Sequence, residues 1–495
     1  MATTSQTNAL PTLEEFLSDE HSLMLTPGLK EQMRESHELL ERTASKGLPI
    51  YGVSRGFGPL AEFSADDDPT RHGLGLIAHL SVGQGPHLPR ETTRLMMEMR
   101  LRGMTRGFSG IEPERWSVLA RMLNAGFVPV VPSLGSVSAS GDLIPLAHAA
   151  SCLAGEGMAW SPDGGSEVTT AREALRALDL EPFVWHAREA LAFVNGTSAS
   201  LAATVLNHVR IRRQCWILAT LTGVIVDVLR GNAEPYSEVV ALARGNSAGH
   251  RLAASWVRAQ ITEPQDASSA RKLQEQYSLR CVPQIVGSVL DFLDATDAVL
   301  SREVHGCSDN PVVSTDGIFH AGNFYAVTQG LASDQHVTLV HQVAYVAERQ
   351  LALLVNPASN GNLPPLLASR PGANSGLAGV ELAACAYLSE IRMLSTPATV
   401  TPVPANVDNQ DVVPMALTSA LRVARQLDLA DLVLGSLGLA VAQILRLTGA
   451  QATSRDDWTA TLLSLSAAFE DDRPLHGEVR TVADALHTFA GEHVR

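Results

Sequence analysis

The placement of proline constrains this chain more than any other feature. Up to Pro182 the sequence is interrupted often by Pro and Gly; beyond it lie the proline-free stretches 183–234, 284–310, 312–356 and 415–473. Proline inside a helix removes a hydrogen bond and clashes with the preceding turn, so its absence over such spans permits long helices. Periodicity agrees locally, since Ile285, Val289, Phe292, Thr296 and Val299 recur at steps of four and three, the spacing of one helical face. Runs with strand alternation are few and short. The pattern predicts a mainly α protein in two parts: an irregular N-terminal domain over 1–190, then a core of long bundled helices over 191–495.

A chain of 495 residues with 45% hydrophobic and 18% charged side chains can bury a sizeable core, which excludes a disordered or fibrous protein. Lys and Arg number 37 against 52 Asp and Glu, a net charge of −15. Such acidity disfavours polyanions, so neither nucleic acid nor an anionic membrane surface is an expected partner. Charge-free apolar runs such as Gln214–Val226 and Leu432–Leu445 fall short of the roughly 20 residues that span a bilayer. The five cysteines are scattered and form no C-x-x-C pair, so neither a disulfide framework nor a structural metal site is expected. MATTSQTNALPTLEEFLSDE has no basic region and no apolar stretch. It does not read as a secretory signal, and a cytoplasmic protein is expected.

Gly52-Val53-Ser54-Arg55-Gly56 matches G-x-S-x-G, the nucleophile elbow of α/β-hydrolases, which needs a buried strand before it and a helix after it. Here Gly47 and Pro49 precede it and Gly58-Pro59 follows, so these glycines are expected to shape a loop that presents Tyr51. The chemistry lies further on. Residues 131–150 read VPSLGSVSASGDLIPLAHAA, with small residues from Gly135 to Gly141, Asp142 in a capping context and Pro145 near a first turn. On spacing alone this is a loop and a helix cap. A sharper reading attends to Ala139-Ser140-Gly141. The Gly nitrogen meets little steric resistance in attacking the Ala carbonyl, and loss of the Ser hydroxyl would then leave an exocyclic methylene, an electrophile that no ordinary side chain offers.

GSVSASGDLIPLAH closely resembles the Ala-Ser-Gly segment of the aromatic amino-acid ammonia-lyases and 2,3-aminomutases. Five more segments follow that family's order: YGVSRGFG at 51–58, LAFVNGT at 191–197, QEQYSLR at 274–280, SDNP with GNF at 308–324, and DNQDVV at 408–413. The resemblance implies a fumarase/aspartase-like helical fold. It also implies a 4-methylideneimidazol-5-one (MIO) prosthetic group made from Ala139, Ser140 and Gly141, with no metal. Tyr51 and Tyr277 are implied as catalytic residues, Tyr51 being the base. Gly58, His79, Leu80, Asn195, Gln274, Arg280, Phe324 and Gln410 are implied around the substrate. A homotetramer with shared sites follows from the same likeness: Tyr51, His79 and the tripeptide from one chain, Tyr277 with Arg280, and Phe324 with Gln410, from others.

Each residue type suits its place. Arg280 can hold a substrate carboxylate bidentately, a tyrosine whose pKa is lowered can remove a weakly acidic proton, and the amides of Asn195 and Gln274 can stabilise charge. His79-Leu80 resembles the His-Leu pair that tyrosine lyases typically carry there, where phenylalanine lyases have Phe-Leu and histidine lyases Ser-His. Gln410 stands where histidine lyases carry a glutamate, so an aromatic substrate of the tyrosine type is favoured over histidine. Departures from the pattern are Ser138 for Gly, Arg55 for Thr, Gly75 for a polar residue and Pro414 for Ser; Arg55 could bring a cation near the substrate. Lyase and aminomutase share all these residues, and a catalytically inactive binding protein on the same fold is a third reading.

Overall fold

The computed structural model describes residues 13–18, 22–449 and 457–494. It is mostly helical, at 59%. The elements that position the site are α1 (Pro69–Leu80), α2 (Leu143–Leu153), α3 (Ala187–Val194), α4 (Ser198–Val228), the single turn α5 (Tyr277–Arg280), α6 (Val282–Val304), α7 (Val327–Val355) and α8 (Ala416–Thr448). Helices α4, α6, α7 and α8 fall in the proline-free stretches, apart from the Val282-Pro283 start of α6, where a first-turn proline forfeits no hydrogen bond. Strands among the described residues form three two-stranded antiparallel ribbons: Gln84–His87 with Pro132–Leu134, Met158–Trp160 with Val168–Thr170, and Val312–Ser314 with Gly317–Phe319.

The chain divides into two compact units. The first comprises residues up to Leu206, Asp297–Asp334 and Pro397–Leu421; the second comprises Asn207–Thr296, Gln335–Thr396 and the chain from Arg422 onward. All three ribbons belong to the first unit, whose core gathers Met96, Met97, Trp116, Leu146 and Phe193. The core of the second is built from helices, with Val224, Val286, Leu293, Val343 and Leu437 fully buried in it.

Helix α6 corrects one expectation. The buried face runs through Val282, Val286, Val289 and Leu293, whereas Phe292 stands 54% exposed and Ile285 is only partly covered. Two stripes lie side by side on this helix and share the buried Val289 and Thr296. Periodicity identifies the helix, but which stripe turns inward is set by what packs on it. Helix α8 is the one described helix long and apolar enough to cross a membrane, and 83% of its apolar window is buried inside the protein.

In the second unit two buried histidines lie side by side, Nδ1 of His208 3.2 Å from Nε2 of His336. Burial holds His336 down to about 3 and, with the neighbouring His336, keeps His208 well below its ordinary range. As pH falls below the unfolded value near 6.5, the unfolded chain takes up protons that the folded chain refuses. Stability is therefore unaffected by this pair at neutral pH and above, and is lost progressively between about 6.5 and 3. Melting temperatures across that range check this: His336→Gln should blunt the acid loss, and an unchanged slope would remove the pair as its cause.

Candidate active site

The tripeptide sits in a tight turn between the second strand of the first ribbon and α2. Gly141 adopts φ +71°, and a Cβ there would stand 2.3 Å from the Gly196 carbonyl oxygen, so only glycine fits. The turn brings Ala139 and Gly141 into bridge contact. Ala139 is buried behind Ser140. Asn195, at the C-terminal end of α3, donates from Nδ2 to the Ser140 carbonyl at 2.7 Å, while its Oδ1 is buried without a partner. Gln410 donates from Nε2 to Ser140 Oγ at 2.9 Å.

Asp142 occupies the N-cap position of α2 but makes no side-chain cap. Its carboxylate turns inward instead. Oδ1 accepts from Ser136 Oγ at 3.1 Å and Ser138 Oγ at 2.8 Å, and Oδ2 accepts from the Ser200 amide at 2.7 Å and its hydroxyl at 2.8 Å. Burial pushes this carboxyl up, and the four donors oppose that by favouring the charged form.

The Tyr51 loop is a turn, as expected, and not a nucleophile elbow. Ser54 Oγ accepts from Ile50 N at 2.9 Å and donates to the Leu48 carbonyl at 3.2 Å, which folds the segment on itself. The phenolic oxygen of Tyr51 accepts from Gly58 N at 2.8 Å. Burial raises the Tyr51 pKa, and the Gly58 amide lowers it by less. That differs from the lowered value a ready base requires, because one backbone donor does not offset the lost water. Arg55 donates to the Glu62 carbonyl at 3.1 Å and does not border the cavity, so the cation it could have brought is turned elsewhere.

Helix α1 opens on Asp68, which accepts from the Thr70 and Arg71 amides, with Pro69 at its first position. It carries Gly75 and His79 one turn apart. Nδ1 of His79 lies 3.0 Å from the Gly75 carbonyl oxygen. A carbonyl only accepts, so Nδ1 carries a hydrogen, and in the neutral ring Nε2 is the acceptor. These parts converge on one cavity of about 760 Å³ in the first unit. Tyr51, Gly58, His79 and Leu80 border it from one side of the sequence; Ser140, Gly141, Asn195 and Gln410 border it from the other.

Five expected site residues are not among those lining it, the buried Ala139 being the first. Phe324 is half-buried in a turn of the first unit. Gln274, Tyr277 and Arg280 belong to the second unit. Gln274 is exposed, Tyr277 is 69% exposed, and the Arg280 guanidinium lies over the Tyr277 ring, 4.7 Å from its centroid. The resemblance assigns Gln410 to a neighbouring chain, and here the structure corrects it: this chain's own Gln410 reaches Ser140. Asn406 and His320 carry no mark in the sequence. Asn406 borders the cavity, its Nδ2 packed so closely on Gly58 that a Cβ there would lie 2.8 Å away; His320 accepts from the Tyr51 amide at 3.2 Å. Each lies hundreds of residues from the group it holds. The one group of metal-type ligands among the described residues is Glu348, Glu381 and Cys385 in the second unit, where Glu348 is already paired with Arg349.

The profile of the family described as aromatic amino acid lyase matches residues 9–468. The chain belongs to that family. Among relatives of this aromatic amino acid lyase, a histidine ammonia-lyase of Anaeromyxobacter sp. (strain K) is 35% identical over 477 residues, covering 93% of each chain. A tyrosine ammonia-lyase of Cupriavidus metallidurans is 34% identical over 445 residues, 85% of this chain and 83% of that one. The crystal structure of a tyrosine aminomutase from Streptomyces globisporus superposes with a TM-score of 0.88 at 27% identity, covering 97% of this chain and 95% of the other. The mainly α fold expected from proline placement is therefore that of the ammonia-lyases and aminomutases.

Proposed function

We propose that this lyase removes ammonia from an aromatic L-amino acid, tyrosine or a tyrosine-like substrate, to give the arylacrylate, with an MIO group formed from Ala139, Ser140 and Gly141. The observation that carries the reading is the convergence of the Tyr51 hydroxyl, the tripeptide, Asn195 and His79 on one cavity. The residues fit such a group: the left-handed Gly141 against Gly196 and the orphaned Asn195 Oδ1 make a cradle that an ordinary loop does not need. The group supplies an electron sink for departure of the substrate amine.

The chain's own residues do the rest. Tyr51 takes the β-proton at its phenolic oxygen, where the Gly58 amide steadies the charge. Asn195 holds the Ser140 carbonyl through Nδ2 and offers its free Oδ1 to the substrate ammonium. Arg280 grips the carboxylate, and it reaches the site with Tyr277, Gln274 and Phe324 from other copies of the chain in a homotetramer. The exposure of Tyr277 and the unpartnered, buried Nε of Arg280 support that arrangement. His79 accepts the substrate's phenolic hydrogen at Nε2.

The aminomutase is the second reading, favoured by the structural likeness to a tyrosine aminomutase; it differs in re-adding ammonia at the β-carbon before the acrylate leaves. Incubation with L-tyrosine, L-phenylalanine and L-histidine, followed by chromatography, tests both. Arylacrylate from tyrosine is expected. β-Tyrosine would establish the aminomutase, and imidazolylacrylate from histidine would displace tyrosine as the substrate. The His79 assignment has its own check. His79→Phe should lower kcat/KM for tyrosine and raise it for phenylalanine, because each mismatch buries an unpaired polar group at about 1–3 kcal/mol. The swing in preference should be on the order of 10²-fold. Equal loss on both substrates would make His79 a packing residue.

A further inference from the structure

Ser138 stands where the family pattern carries glycine, and its surroundings give that departure a purpose. It is fully buried and adopts φ +57°, the left-handed region that favours glycine. A residue with a β-carbon is held there by every polar atom it has. Its amide donates to Ser136 Oγ at 3.1 Å, and its carbonyl accepts from Ala326 N at 3.4 Å. Its hydroxyl accepts from Leu417 N at 3.1 Å, lies 3.4 Å from Ser136 Oγ, and donates to Asp142 Oδ1 at 2.8 Å.

That last bond joins the residue before the tripeptide to the residue after it. Glycine would relax the backbone at 138 but could not make the strap. Resting on the reading of Ala139-Ser140-Gly141 as the precursor of the prosthetic group, we propose that Ser138 is a positioning residue for ring closure. In that closure the Gly141 nitrogen bonds to the Ala139 carbonyl carbon. The Ala139 oxygen leaves as water with the amide hydrogens of Gly141 and Ser140, and a carbon–nitrogen double bond forms to the Ser140 nitrogen. The Ser140 hydroxyl then leaves as a second water with its α-hydrogen. Ser138 touches none of the reacting atoms. It shortens the loop that contains them, so that nucleophile and carbonyl are held in reach of one another.

The test uses the full-length chain and reads intact mass against time after a pulse of synthesis. The wild type should lose two waters, about 36 Da. Ser138→Gly, which removes the strap without adding backbone strain, should complete that loss about tenfold more slowly or worse, with a melting temperature near the wild type's. Turnover per dehydrated chain should equal the wild type's, since Ser138 does not reach the substrate. Ser138→Ala, which loses the hydroxyl and keeps the strained φ, should be at least as slow. Dehydration of Ser138→Gly at the wild-type rate overturns the proposal, and so does slowing that merely follows a lowered melting temperature. A wild-type chain at unmodified mass overturns the reading of the tripeptide itself, and the proposal with it.

Discussion

Ser140→Ala should fail to lose the two waters of the wild type and lower turnover of tyrosine by about 10³-fold or more, a loss of at least 4 kcal/mol of transition-state stabilisation. Alanine has no hydroxyl to lose, so the methylene cannot form. The substitution is otherwise mild. Gly141 keeps its place against Gly196, Asn195 still donates to the carbonyl of residue 140, and only the Gln410 bond to Ser140 Oγ is lost. A folded variant with unchanged melting temperature and no activity is therefore expected. Mass spectrometry and turnover should move together; a variant that is active at unmodified mass would mean that the chemistry does not run through the tripeptide.

Tyr51→Phe should cost about 10²–10⁴-fold in kcat/KM, the usual worth of a positioned general base. The structure adds a direction with pH. Burial raises the Tyr51 pKa above its ordinary value of 10, with the Gly58 amide lowering it by less. As the proposed base, Tyr51 acts in its deprotonated form, so the active population grows about tenfold per pH unit below that pKa. Wild-type log kcat/KM should accordingly climb with a slope near one from about pH 7 to 9, and the Tyr51→Phe profile should lose that limb. Substrate or a neighbouring copy bringing positive charge to the site would shift the limb to lower pH without changing its sign. A wild-type rate that falls as pH rises, or an unimpaired Phe variant, would remove Tyr51 from the role of base.

The long helices were legible because proline acts locally: a span without it can be helical whatever packs against it, and α4, α7 and α8 lie within such spans. The face of α6 was not, since Phe292 and Leu293 are equally apolar and only tertiary packing separates them. Tyr51, Asn195 and the tripeptide were legible through the resemblance of their segments to the family's, not through spacing, although Gly52, Gly58 and Gly141 do take left-handed conformations there. Asp142 reads as a helix cap from its neighbours, yet Ser200, 58 residues later, captures its carboxylate. The direction of the Tyr51 shift was not legible in the sequence for the same kind of reason. A hydrogen-bond donor can be guessed from a nearby glycine, whereas the amount of water removed depends on everything that covers the ring.

Two of the bonds that reach the tripeptide segment from the far end of the first unit have a consequence in time. Gln410 lies 270 residues after Ser140, and Leu417 lies 279 after Ser138. A ribosome adding roughly 5–20 residues per second needs on the order of 14–54 s to make the intervening chain. Just before Gln410, Asn406, Val407 and Asp408 take three successive left-handed conformations, which local preference does not supply, so this segment forms only once the surrounding unit exists to impose it. Whatever at residues 138–141 depends on those donors must therefore wait until translation has passed Leu417 and the unit has closed. A truncated or half-made chain carries the tripeptide but not its clamp, so on the proposed reading the electrophile is assembled only once there is a finished cavity to enclose it.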